Sequence, residues 1–289
     1  MAGTDRRKRV VIHEDDVGMS HGANLAFSEL SHLGTCSSGS VMVPCPWFPE
    51  AAEMAVKDGS LDLGVHLTLT SEQVPYRWRP LTGPPASAGM TDATGYFWPA
   101  VPQARKAAID AVEAELRAQI DTAYAAGIDV THLDAHMGTA QMPEFTALYR
   151  RLGEDYRLPV MLPKSLDRYN PASYAGPLDP APYDAEIAKA RAAGEPLFDR
   201  VLETPWGRKT DAETAYRAMF EEIPEGLTFL SMHFNAPSDF EMINPPLAYL
   251  RTEEYALFTT PRIGEWVKEL GLEVIGMKVL RDELRAAKG

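Results

Sequence analysis

In VVIHEDDVG the apolar residues Val10, Val11 and Ile12 lead through His13 into three acids, Glu14, Asp15 and Asp16. Neighbouring carboxylates repel, so a plain strand-to-loop junction gains nothing from three of them. A cation beside them would relieve that repulsion. Other residues along the chain could share it: His66 in GVHLTLT, His132, Asp134 and His136 in THLDAH, and His233 in SMHF. Two imidazoles and one carboxylate can hold a divalent metal and leave positions open for water and substrate. Water on such an ion becomes a nucleophile near neutral pH, and a second carboxylate can take its proton. On this reading one aspartate binds the metal and the other is the base. Each piece alone has a plainer explanation. Asp-Asp after a strand serves as a helix N-cap or Asx turn, a single strand-end histidine is more often a hydrogen-bonded structural residue, and HxDxH also occurs on solvated strands.

To meet, these residues need strands that end on one face. Residues 9–13 read as a buried strand, followed by a helix with Ser20 as N-cap and Gly34 as its stop. TCSSGSVMVP, LDLGVHLTLT, DVTHLDAH, LPVMLP, LTFLSMHF and LEVIGM read as six further strands. Helical periods fall between them, in FPEAAEMAVKDG, in ARKAAIDAVEAELRAQIDTAYAAG, at 143–153, in DAETAYRAMFEEI and in TPRIGEWVKELG. Strand–helix alternation implies parallel strands with crossover helices. The expected fold is α/β: a distorted or incomplete (β/α) barrel, TIM-barrel-like, with outer helices and a doubly wound open sheet as the alternative. The chain reads as one domain over 1–289, with loop insertions at about 72–101 and 163–210. His66 and His233 lie toward the ends of strands three and six. His132, Asp134 and His136 alternate along strand four and so share a face. In α/β barrels strand C-terminal ends converge on the active face. Asp15 or Asp16, His66, His132 or His136, and His233 could therefore meet.

Composition narrows the partners. At 289 residues and 45% hydrophobic the chain can bury a large core. A net charge of −13 argues against nucleic acid and anionic membrane. Cys36 and Cys45 are too few for a disulfide framework. No run approaches the ~18 apolar residues of a membrane span, and the basic N-terminus lacks a signal-peptide core. The expectation is a soluble cytoplasmic protein, and homodimers are common among such enzymes.

The motifs together carry a resemblance. DDVG near the N-terminus, GVHLTLT some fifty residues on and THLDAH after a long helix resemble the DDFG, GLHLNLT-like and HLDSHxH motifs of the YdjC/ChbG family of carbohydrate deacetylases, in order and spacing. The likeness spans most of the chain. It implies a distorted barrel and metal-dependent removal of an N-acetyl group from an amino sugar or short oligosaccharide, releasing acetate. Carried over, it makes Asp16, His66 and His136 the metal ligands, Asp15 the base and His233 the acid for the leaving amine. The chain departs where relatives often have Asn-Ala before the aspartates, here His13-Glu14, where HLDSH continues with further histidines, here HLDAHMGTAQ, and where His-Pro-Gly stands late, here MHFNAPSD. The ligand positions survive while their surroundings change.

One divalent ion is thus expected. Two imidazoles favour zinc over the harder magnesium, with Mg²⁺ or another first-row ion left open. The partner would be a small N-acetylated saccharide. His132 and Asp134 could orient a ligand or be structural. Trp98, with Trp78, Tyr96 and Phe97, lies in the long loop, where aromatics either stack on sugars or pack the loop down. Arg251 could meet a polar substrate or pair with Glu253 or Glu254. Two rivals remain: another metal-dependent amidase or phosphodiester hydrolase, and a non-catalytic sugar-binding relative.

Overall fold

The computed structural model describes residues 7–166 and 172–288. Residues 167–171, inside the expected insertion at 163–210, lie outside the described residues.

Among the described residues seven parallel strands form one sheet: β1 Lys8–Val17, β2 Ser38–Val41, β3 Leu63–Leu67, β4 Leu133–Ala135, β5 Arg200–Glu203, β6 Gly226–Met232 and β7 Leu272–Val274. Their order is β4-β3-β2-β1-β6-β5, with β7 beside β1. β1 is central. It pairs with β6 from Lys8 to Glu14 on one side. On the other it meets β7 at Lys8–Val10 and then β2 from His13 onward. Val10, Val11 and Ile12 are fully buried, as expected of a parallel strand covered on both faces. The acids therefore do not follow the strand, as the sequence suggested. They belong to it.

The sheet curls into an incomplete barrel with helices outside. LPVMLP, expected as a regular strand, is instead an extended link between β4 and β5. It makes isolated parallel bridges, Leu133 to Val160 and Pro163 to Phe198. Pro159 and Pro163 have no N–H to give, so a continuous ladder cannot form there. The stretch expected as an insertion over one face contributes β5 itself. Ser20 caps the helix His21–Leu33 by accepting from the Ala23 amide, and Gly34 ends it in the left-handed region at φ 75°. Among the described residues, two helices of twelve residues or more lie where the sequence suggested none. Met277–Lys288 closes the chain. Pro245–Phe258 buries Arg251 and Glu254 beside Ala248, Leu250, Leu257 and Phe258, so its inner side is not a clean apolar stripe. Among the described residues no helix is long and apolar enough to cross a membrane.

Candidate metal centre and its pocket

A regular strand points successive side chains to opposite faces, so Asp15 and Asp16 should diverge. They do not, because the strand is irregular there. The pairing register between β1 and β2 shifts between Glu14 and Val17, and Asp16 sits at φ 64°. Aspartate tolerates this left-handed geometry better than most residues. The bulge turns both carboxylates into the pocket at the strand ends.

Three buried side chains converge there. Asp16 Oδ1 lies 3.1 Å from His136 Nδ1 and 3.6 Å from His66 Nε2. These ligand atoms all fall within 4.8 Å of one another. Asp16 Oδ1 is buried and makes no well-formed hydrogen bond despite the nearby imidazole. Such an orphaned acceptor, facing two ring nitrogens, fits an absent cation. Each imidazole is held from behind. His66 Nδ1 hydrogen-bonds Ser40 Oγ at 3.0 Å, whose hydroxyl donates to Asp134 Oδ2 at 2.9 Å, and Asp134 Oδ1 stands 2.9 Å from the same nitrogen without a well-formed hydrogen bond. His136 Nε2 donates to Glu72 Oε2 at 2.9 Å. Both remaining nitrogens are thus aimed at one point, the arrangement by which carboxylates orient and strengthen histidine ligands. Glu72→Gln keeps an acceptor but loses the charge. We expect its affinity for a divalent ion to fall by about 10–100-fold, read by competition against a chromophoric chelator. An unchanged affinity would mean that Glu72 does not support His136.

Arg251 Nη2 donates to Asp16 Oδ2 at 2.8 Å. Burial opposes ionisation of Asp16, but Arg251 and then His136 more than offset it and hold the carboxyl well below its usual range. Burial likewise works against a charged His136, yet Glu72 and Asp16 raise its pKa to about 10. A metal would take the place of that proton.

Asp15 sits beside this trio. Its Oδ1 accepts from His13 Nδ1 at 2.7 Å and its Oδ2 from Ser231 Oγ at 2.6 Å. His233 Nε2 lies 3.9 Å from Asp15 Oδ2. The other ring nitrogen of His233 is 2.9 Å from Thr204 Oγ1, which donates to Glu254. Glu254 also accepts the His233 amide. Burial lowers the His233 pKa to about 4, so the ring is neutral near pH 7.

These groups open into a cavity of about 350 Å³. Trp206, Tyr174, Glu203 and Met137 line it alongside Asp15, His136 and His233. The geometry thus brings together Asp15, Asp16, His66, His136, His233 and Arg251, with Asp134 directly behind His66. It does not bring Trp98, whose indole N–H donates to Gly89 O inside the long loop. Trp206 is the aromatic wall instead, its ring 4.7 Å from that of His233. Neither does it bring His132, which lies deeper and meets His13. Arg251 pairs with neither neighbour considered for it. It turns inward to Asp16, with its guanidinium 4.4 Å from the Phe240 ring centre. The sequence reading gave no role to Glu72, Glu203, Trp206 or Ser231. Glu72 had a faint signal: an acid directly after the apolar strand end LTLTS, as Asp15 and Asp16 follow VVI.

The chain is similar to several known proteins. A carbohydrate deacetylase of Thermus thermophilus is 34% identical over 238 residues, covering 82% of this chain and 81% of the relative. A chitooligosaccharide deacetylase of Yersinia enterocolitica is 25% identical over 270 residues, covering 91% and 96%. The fold matches a crystal structure from Enterococcus faecalis V583, of a protein proposed to cleave cellobiose phosphate. The TM-score is 0.76 at 20% identity, covering 95% of this chain and 99% of that one. The family model described as YdjC-like protein matches residues 9–269, so the chain belongs to the YdjC-like family.

Proposed function

We propose that the protein is a metal-dependent carbohydrate deacetylase, which hydrolyses the N-acetyl group of an amino sugar or short oligosaccharide. The observation that carries this is the convergence of Asp16, His66 and His136, with both rear ring nitrogens engaged and Asp16 Oδ1 left open. A divalent ion held by these three would polarise the acetamide carbonyl and lower the pKa of its water. Two imidazoles and one carboxylate favour zinc or another first-row ion.

Asp15 is the base. Its Oδ1 is tied to His13, leaving Oδ2, beside Ser231, to take the proton from the attacking water. His233 is neutral before reaction and must first receive the proton that it gives to the departing amine. Asp15 Oδ2 lies 3.9 Å from His233 Nε2, beyond direct hydrogen-bond distance, so it would supply that proton through a bridging water. Trp206 and Tyr174 offer flat walls to a sugar ring. Among the described residues, Asp15, Asp16, Glu72 and Glu203 line the cavity, and its arginine, Arg251, is committed to Asp16. Such an acidic lining favours a neutral substrate over a phosphodiester, which would call for uncommitted cations. Cys36 and Cys45 are free and buried, in keeping with a cytoplasmic protein.

The test is elemental analysis of the purified chain beside a His66→Ala, His136→Ala double variant, with acetate release measured on N-acetylated sugars. The expected result is about one equivalent of a divalent ion, lost in the variant together with acetate release. No metal in either protein, even after addition of zinc, manganese or magnesium, would overturn the mechanism.

A further inference from the structure

Behind Asp15 runs a buried line of hydrogen bonds whose far members, His132 and Thr131, have no part in the proposed chemistry. His13 Nδ1 is 2.7 Å from Asp15 Oδ1, His13 Nε2 is 3.0 Å from His132 Nε2, and His132 Nδ1 is 2.9 Å from Thr131 Oγ1. His13, His132 and Thr131 are all 0% exposed. The close approach of the two rings needs room beside β3, and Gly64 provides it. A Cβ at Gly64 would stand 2.5 Å from His132 Nδ1.

One arrangement of protons satisfies this line with both rings neutral. An ionised Asp15 can only accept, so His13 must donate from Nδ1. A neutral His13 then has a bare Nε2, which requires a proton on His132 Nε2. His132 Nδ1 is consequently bare and accepts from the Thr131 hydroxyl. Thr131 also hydrogen-bonds Asp62, which takes the Ser38 hydroxyl and the Lys278 amide as well; with the single Thr131 proton turned to His132, Asp62 keeps those two donors. Asp134 Oδ2 stands 3.7 Å from His13 Nε2, beyond hydrogen-bond distance, so His132 is the partner of that nitrogen. The two Nε2 atoms and Asp134 Oδ2 could in principle flank an ion, but every ring nitrogen here already has a hydrogen-bond partner.

We propose that His13 is a positioning residue for the base: the Thr131–His132–His13 line locks its tautomer so that it clamps Asp15 Oδ1 and leaves Oδ2 aimed at the water. Acting through Asp15, it rests on the deacetylase reading for its effect on rate. The tautomers it requires do not depend on that reading.

The experiment therefore has two readouts. In the full-length protein with ¹⁵N-labelled histidine, long-range ¹H–¹⁵N correlation should find His13 neutral and protonated at Nδ1, and His132 neutral and protonated at Nε2. A cationic His13 or the opposite tautomers would overturn the proposal, whether or not the protein deacetylates anything. For rate, His13→Leu should lower kcat by about 10–100-fold, the scale of a misplaced catalytic group, with KM and metal content unchanged. His13→Asn places an amide donor near the Nδ1 position and should recover most of the loss. Equal rates for wild type and the Leu variant would sink the positioning role. So would two metal equivalents in the wild type falling to one in His132→Gln, which would put an ion where the line places a proton.

Discussion

Asp15→Asn should reduce kcat for acetate release by about 10²–10⁴-fold, the usual contribution of a positioned general base. Metal content should stay at the wild-type level. The amide has nearly the same shape as the carboxylate. Its carbonyl can still accept from His13 Nδ1, and its NH₂ can donate to the Ser231 hydroxyl, which now only needs to accept. Bonds at 2.7 Å and 2.6 Å are thereby kept, while the group loses the ability to take a proton. Paired measurement of kcat and metal stoichiometry decides the matter. Full turnover would remove Asp15 from the chemistry. Loss of metal would make it a ligand, a role within reach because its Oδ2 lies 4.0 Å from His66 Nε2. The same variant separates an enzyme from a sugar-binding relative, since a binding protein has no turnover to lose.

Arg251→Met is expected to destabilise the metal-free protein by up to about 3–5 kcal/mol, the cost of breaking a buried pair, with the His136 imidazole at 3.1 Å offsetting part of the lost charge. Asp16 is 1% exposed and Arg251 4%, so water cannot replace the lost partner. Chemical denaturation in chelator reads the full deficit. A saturating divalent ion should restore part of it, because the ion brings charge to the same carboxylate. The pH dependence has a definite sign. The folded-state pKa of Asp16 is depressed. Its contribution is therefore present above the unfolded value of about 3.9, and is lost as pH falls through the lower folded value. Removing Arg251 shrinks that contribution. The gap between wild type and variant should be widest at neutral pH and narrow as pH falls below about 4. A gap that did not change with pH would mean that the variant fails by lost packing against Phe240 rather than by an unpaired charge.

Much of the site could be read before the fold was known, since its ligands sit at strand ends and strands leave a periodic signal. His66 and His233 follow apolar runs that could hardly be anything but buried strands. Asp15 and Asp16 follow another, and Ser20 and Gly34 bound their helix for local reasons that survive in the fold. The partners that aim these groups were hidden. Glu72 reaches His136 across 64 positions, Arg251 reaches Asp16 across 235, and Ser231 reaches Asp15 across 216. No local pattern encodes such distances. The helix carrying Arg251 was itself obscured, because a buried face that includes charge has no clean apolar period.

By itself the sequence determined the strand–helix alternation, the acid and imidazole types available for a metal and the ends of strands on which they stand. These follow from side-chain period, caps and composition, which act over a few residues. Tertiary structure alone decided that Asp15 and Asp16 face the same way, because only the shifted β1–β2 pairing and the left-handed Asp16 overrule strand alternation. It also decided that Arg251 neutralises Asp16, that Trp206 rather than Trp98 walls the cavity, and that His132 serves His13 instead of the pocket. Each of these is a contact between distant segments, set by which strands lie side by side in the barrel.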